Sequence, residues 1–101
     1  MKVEILYFDG CPSWRDAVDN VRAALGDEQH IDLVLIETPE QAQAERFAGS
    51  PTIRIDGRDL FPIDDGEYAL ACRVYSTPEG INGAPTVGMI TYALLADGKQ
   101  S

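Results

Sequence analysis

Two sulfur atoms are the natural starting point, because Cys11 and Cys72 are the only cysteines in the 101-residue sequence. Cys11 stands in Tyr7-Phe8-Asp9-Gly10-Cys11-Pro12-Ser13-Trp14, where an apolar run gives way to a helical periodicity. A thiol at a helix start meets free backbone N–H groups and the positive end of the helix dipole, which favour the thiolate, its reactive form. Arg15 adds to that field, and Asp9 and Asp16 oppose it. The competing reading is a cysteine that merely begins a helix. Cys72 shares parity with Leu70 and Val74, which suits a small buried hydrophobe. It also suits a thiol that resolves a mixed disulfide or sulfenic acid on Cys11. A direct bond between the two needs Cα atoms within about 7 Å, a distance that the sequence leaves open.

Other chemistries find less support. His30 is the sole histidine and follows a predicted helix of about 14 residues, so roughly 20 Å of helix separates it from Cys11. A Cys–His nucleophile pair is therefore excluded. Two cysteines are too few for a disulfide framework, and no Cys/His spacing fits zinc. Asp64 and Asp65, with Asp59 and Glu67 nearby, lack the spacing of a calcium loop and read as a solvated face.

The elements that must position these groups follow from periodicity. Val3 to Phe8 is an apolar run broken only by Glu4, as expected of a strand buried on both faces. Trp14, Ala17, Val18, Val21 and Leu25 form one helical stripe, with Pro12 suited to the first turn and Gly26 to the end. Ile31 to Ile36 reads as a second strand. Thr38 can cap a second helix, with Gln41 placed to reach back, and that helix is expected to run to about Phe47. Gly49-Ser50 breaks it, Pro51 to Ile55 alternates like a strand, and Asp56-Gly57 signals a tight turn. Arg58 to Phe61 fits a short returning strand. Tyr68 to Tyr75 is the favoured main fourth strand, with Tyr68, Leu70, Cys72 and Val74 on one face. Pro85 opens a last helix carrying Val87, Ile90 and Leu94, ending near Gly98. The expected order is β-α-β-α-β-β-α, one α/β domain over residues 1–101, with a right-handed connection from the first strand to the second.

Composition bounds the partners. Eight Lys and Arg against 17 Asp and Glu give a formal net charge of −9, a field that repels nucleic acid and anionic lipid. Neither a nucleic-acid nor a membrane partner is expected. The opening residues read as a strand rather than a cleaved leader, and nothing approaches membrane-spanning length. A cytoplasmic, reducing location is the expectation, with both thiols free.

The element order, Cys11-Pro12 at the first strand–helix junction and Gly49-Ser50-Pro51-Thr52 before the third strand together resemble the thioredoxin/glutaredoxin superfamily. Ile55-Asp56-Gly57 adds to the similarity, which covers nearly the whole chain. The resemblance implies a thioredoxin-like fold, with a four-stranded mixed sheet flanked by helices. It implies a cis bond before Pro51, with that proline against the reactive Cys11. It implies that backbone groups around Ser50 and Thr52 pair with a bound thiol peptide. It also implies a fourth strand antiparallel to the third, bringing Cys72 toward Pro51. One departure stands out: the superfamily's Cys-x-x-Cys pair is here Cys11-Pro12-Ser13-Trp14, so a disulfide between positions 11 and 14 is impossible. The sequence is also similar to small bacterial thioredoxin-like proteins that share its Asp-Gly-Arg-Asp and Cys-Arg-x-Tyr pieces, some grouped with alkylmercury lyases.

Three functions follow as expectations. The first is a thiol–disulfide oxidoreductase or thiol-transfer protein acting on a small-molecule or protein thiol. In it Cys11 and Cys72 are catalytic, Pro12, Trp14, Ser50, Pro51, Thr52 and Arg73 shape the substrate site, and no resident cofactor is needed. Glutathione would be a co-substrate, with Arg73 available to its carboxylate, and Trp14 would wall the thiol or pack in the core. The second is a non-catalytic binding module in which Trp14 has replaced the second thiol. The third is metal or organomercurial handling by the two soft thiolates.

Overall fold

In the computed structural model, which describes residues 1–63 and 68–99, the chain alternates strands and helices. The elements are β1 (Val3–Tyr7), α1 (Trp14–Leu25), β2 (Ile31–Leu35), α2 (Pro39–Ala44), β3 (Thr52–Ile55), β4 (Arg58–Asp59), β5 (Tyr75–Thr77), β6 (Gly80–Asn82) and α3 (Val87–Lys99). A four-stranded mixed sheet runs in the order β2-β1-β3-β4, and β5-β6 form a separate hairpin. β1 is parallel to β2, with Val3 opposite Ile31 and Tyr7 opposite Leu35. β3 is antiparallel to β1, with Leu6 opposite Thr52 and Val3 opposite Ile55. The parallel pair is joined through α1, because parallel strands need a long crossover.

Alternation along β1 divides the core. Val3 and Ile5 join Val21 of α1, Ile53 and Ile55 of β3 and Ile90 of α3 on one face. Leu6 joins Ile36, Ala42 of α2 and Phe47 on the other. Glu4, the one polar residue of the run, is buried because its cross-strand neighbour is Arg54. Arg54 Nε and Nη2 donate to the two Glu4 carboxylate oxygens at 3.0 and 3.1 Å. Opposed charges on directly facing residues stabilise a sheet pair and satisfy a group that could not be buried alone. Bonding to the Arg54 guanidinium holds the Glu4 carboxyl below its ordinary value, since a cation and two N–H donors favour the charged form.

Local signals set the element ends. Thr38 Oγ1 accepts from Gln41 N at 3.1 Å, and Gln41 Oε1 reaches back to Glu37 N at 3.0 Å. α2 stops at Ala44, short of the expected Phe47. Arg46 takes a positive φ of 55°, Arg46 N donates to Gln43 O, and Phe47 N donates to Ala42 O. This pair of bonds is a Schellman stop. Ending the helix there lets the fully buried Phe47 turn into the core beside Ala42.

The largest correction concerns the fourth strand. Asp56 (φ 50°) and Gly57 (φ 84°) form a two-residue turn, and Arg58 and Asp59 pair back onto Ile55 and Arg54. The free edge of β3 is thus taken by the residues immediately after the turn. Residues 68–74 do not pair with β3 and run beside the 47–50 loop. Ala69 N donates to Phe47 O, Ser50 N to Ala71 O, and Arg73 N to Ser50 O. The expected order therefore gains the β5-β6 hairpin, and the main fourth strand is not at 68–75. The acidic run at Asp64, Asp65 and Glu67 lies outside the described residues. Among those described, no helix is long and apolar enough to cross a membrane.

Candidate functional site

β1 ends at Tyr7 and α1 begins at Trp14, so residues 8–13 bridge the strand's C-terminal end to the helix start. Cys11 N donates to Phe8 O at 3.0 Å, closing a turn that places Cys11 beneath the surface at 2% exposure. Pro12 O accepts from Arg15 N at 3.2 Å, and Ser13 caps α1 without a side-chain hydrogen bond. Trp14 stacks on Tyr7 with ring centroids 4.5 Å apart, and the Arg15 guanidinium lies 5.2 Å from the Trp14 ring centroid. Trp14 is therefore neither wholly core nor free. It pins the helix start to the strand end on either side of the Cys11 loop, and Arg15 covers it through a cation–π contact.

Ser50 and Pro51 enter from the head of β3, and the peptide between them is cis. Ser50 Oγ donates to Phe8 O at 3.5 Å, the same carbonyl that accepts from Cys11 N. Thr52 Oγ1 donates to Gly49 O at 2.6 Å. The side chains of Ser50 and Thr52 are buried. The Ser50 backbone N–H and C=O are both engaged by residues 71 and 73, forming a parallel bridge between Ser50 and Cys72. The close approach depends on Gly49. Its φ is +121°, and a Cβ there would lie 2.8 Å from Arg73 Cβ.

That bridge sets Cys72 over the Cys11 loop. The two Cα atoms are 5.8 Å apart and the sulfurs form a disulfide across 61 positions of sequence. The expectation of free thiols is corrected: among the described residues neither cysteine is free. Cys72 and Val74 do share a side, but the reading of Cys72 as a small buried hydrophobe is corrected. Arg73 and Tyr75 point inward at 8% and 5% exposure, while Cys72 is exposed and Val74 is 65% exposed. Arg73 and Tyr75 decide this, because their partners among the described residues lie on the inner side.

Arg73 Nη1 donates to Asp59 Oδ2 at 2.9 Å and to Thr52 Oγ1 at 3.4 Å, and Nη2 donates to the Phe61 carbonyl. Its guanidinium also lies 4.8 Å from the Tyr75 ring centroid. The cation that the sequence offered to a ligand carboxylate is thus engaged by Asp59 inside the protein. Tyr75 Oη donates to Pro51 O at 2.5 Å, tying the segment after Cys72 to the cis peptide. Burial pushes the Tyr75 hydroxyl well above its ordinary value, since the phenolate would be stranded in a dry site.

The structure thus brings together Cys11, Ser50, Pro51, Cys72 and Arg73 through the bonds above; Pro12, exposed, and Trp14 follow Cys11 along the chain, and Thr52 follows Pro51. Sequence reasoning missed Asp59, Phe61 and Tyr75, whose roles depend on contacts 12 to 24 residues apart. No local pattern announces such contacts. His30 sits at the opposite pole, before the start of β2, with Nε2 2.7 Å from Asp32 Oδ1. A cavity of about 800 Å³ opens among Leu60, Phe61, Ile63, Met89 and Tyr92, and neither cysteine lines it. No group of three or more metal-ligating side chains occurs among the described residues.

Chemically, the arrangement is a disulfide with one partner sealed in and the other at the surface, braced by a buried cation and a buried tyrosine. Comparison with protein-family models, with curated proteins and with solved structures gave no match for this chain.

Proposed function

We propose that this chain is a thiol–disulfide oxidoreductase of thioredoxin-like fold whose redox pair is Cys11 and Cys72. The observation that carries the reading is the pairing itself. Two cysteines distant in sequence meet at the C-terminal end of β1 beside a cis-proline peptide, and one of them is exposed. The sheet order β2-β1-β3-β4 with the cis peptide at the head of β3 supports the fold. Trp14 then needs no replacement thiol four residues into the motif, because Cys72 supplies it from the far side of the loop.

In the net reaction two external thiols reduce the Cys11–Cys72 disulfide, giving two protein thiols and one external disulfide. The reverse reaction reduces a substrate disulfide at the expense of the protein dithiol. The protein supplies proximity: hydrogen bonds from Ser50 and Arg73 keep the segment carrying Cys72 against the Cys11 loop, and that holds the second sulfur within reach of the first. The test is a glutathione titration of the oxidised protein, with a Cys11→Ala/Cys72→Ala variant as control. Two thiols consumed per glutathione disulfide released, followed by reoxidation with a disulfide substrate, is the expected result.

A second reading, a binding module in which the disulfide is a permanent staple, is favoured by the burial of Cys11. It predicts a bond that resists excess glutathione in the folded protein and yields only on unfolding. That outcome would remove the oxidoreductase reading.

A further inference from the structure

The two sulfurs of the disulfide are not equivalent. We infer that Cys72, the second cysteine, is the sulfur that joins the external partner, and that Cys11 is the internal sulfur that leaves and later resolves. The inference rests on the proposed redox role and assigns the order of steps within it.

Thiol–disulfide exchange proceeds by attack of a thiolate on one sulfur, with the other leaving, so access decides which sulfur is attacked. The incoming thiolate approaches in line with the S–S bond, from the side opposite the leaving sulfur. For attack on Cys11 that line must reach a residue only 2% exposed, roofed by the Cys72 segment and enclosed by the turn closed on Phe8 O. Attack on Cys72 is attack on an exposed residue. Cys72 is exposed, and so is Val74, which shares its outward side, while Arg73 and Tyr75 between and beyond them point inward.

The leaving group agrees with this direction. Cys11 precedes α1 by three residues, near the positive end of a 12-residue helix whose Ser13 cap makes no side-chain bond. A thiolate released there is favoured, and a better-stabilised thiolate leaves faster. The first step is RS⁻ attacking Cys72 Sγ, forming RS–S–Cys72 and breaking the Cys72–Cys11 bond to leave Cys11 as thiolate. A second external thiolate then attacks the RS sulfur, releasing RSSR and Cys72 as thiolate. Both protein thiolates take up protons as the pH requires. Run backward, Cys72 attacks a substrate disulfide and Cys11 closes the ring. This order is the reverse of the one expected from the sequence, in which Cys11 is the attacking thiolate and Cys72 resolves.

The experiment reacts oxidised full-length protein briefly with reduced glutathione, blocks thiols with N-ethylmaleimide and maps tryptic peptides by mass spectrometry. Cleavage after Lys2, Arg15, Arg58 and Arg73 separates residues 3–15 from residues 59–73, so the two sulfurs are read independently. Glutathione on Cys72 with maleimide on Cys11, at least about tenfold over the reverse assignment, is the expected result. Glutathione mainly on Cys11 overturns the order while leaving the redox role intact. No adduct on either, with the disulfide still closed, overturns the redox role and the order with it. Single-thiol variants give a second reading. The Cys11→Ala protein should react with a disulfide reagent at Cys72 at least about tenfold faster than the Cys72→Ala protein reacts at Cys11. Equal rates, or faster reaction at Cys11, overturn the order.

Discussion

Reducing the Cys11–Cys72 bond should lower the stability of this protein by about 4 kcal/mol while leaving it folded at room temperature. The figure comes from loop closure: a cross-link over 61 positions restricts the unfolded chain by about 14 cal/mol/K, or about 4 kcal/mol at 25 °C. Unfolding entropy near 60 °C is about 2.1 cal/mol/K per residue, or about 0.2 kcal/mol/K over this chain, so the midpoint should fall by about 20 °C. A denatured state that is already compact would trim this toward about 15 °C. The folded state loses little else. Arg73 keeps Asp59 and the Phe61 carbonyl, Tyr75 keeps Pro51 O, and the backbone bonds to Ser50 remain. The assay is thermal unfolding followed by circular dichroism on three samples: oxidised protein, protein reduced with a phosphine, and the Cys11→Ala/Cys72→Ala variant. The two samples lacking the bond should melt together, well below the oxidised one. A shift under about 5 °C, with reduction verified by alkylation, would refute the loop-closure reasoning.

Tyr75→Phe removes the donor to a buried Pro51 carbonyl and should cost about 1–2 kcal/mol; an unchanged urea midpoint would show that water replaces the hydroxyl. Burial raises the Tyr75 pKa in the folded state, so its contribution is complete below the free-tyrosine value of about 10 and is lost as pH rises beyond it. The wild type should therefore lose stability more steeply than Tyr75→Phe above about pH 10, and parallel alkaline limbs would contradict this. Glu4 has the opposite sign. Arg54 lowers its pKa from the ordinary 4.5, so the stabilisation is present above about pH 4.5 and is lost as pH falls through the folded value. Glu4→Gln should flatten the acid limb of a stability–pH curve below about pH 4.5, and an unaltered limb would place the acid sensitivity elsewhere. Gly49→Ala imposes a Cβ at φ +121° and 2.8 Å from Arg73 Cβ, so it should cost about 2–4 kcal/mol. It should also speed reduction of the disulfide by loosening the Cys72 segment, and wild-type stability and reduction rate would show that the two backbones can part freely.

Local physics made much of the frame legible in advance. Hydrophobic runs gave β1 and β2, and the stripe at Ala17, Val18 and Val21 gave the buried face of α1. Thr38 and Gln41 marked the start of α2, while Asp56-Gly57 marked the turn into β4. These are short-range preferences, set by backbone dihedrals and neighbours within a turn or two. The resemblance carried by Gly49-Ser50-Pro51-Thr52 pointed to the loop that closes on the Cys11 segment.

Tertiary structure decided the rest. Alternation alone put Cys72 on one side with Leu70 and Val74, and parity says which residues share a side, not which side is buried. The inward side was chosen by Arg73 and Tyr75, whose partners Asp59, the Phe61 carbonyl and Pro51 O come from β4, the residues after it and the cis-proline loop. The length of α2 was likewise set by where Phe47 could be buried rather than by the helical pattern before it. The sequence by itself therefore determined that two thiols exist, that one begins a helix and that strands and helices alternate around them. That the thiols meet, and which one faces solvent, depended on contacts across the chain, where packing and hydrogen bonding outweigh local preference.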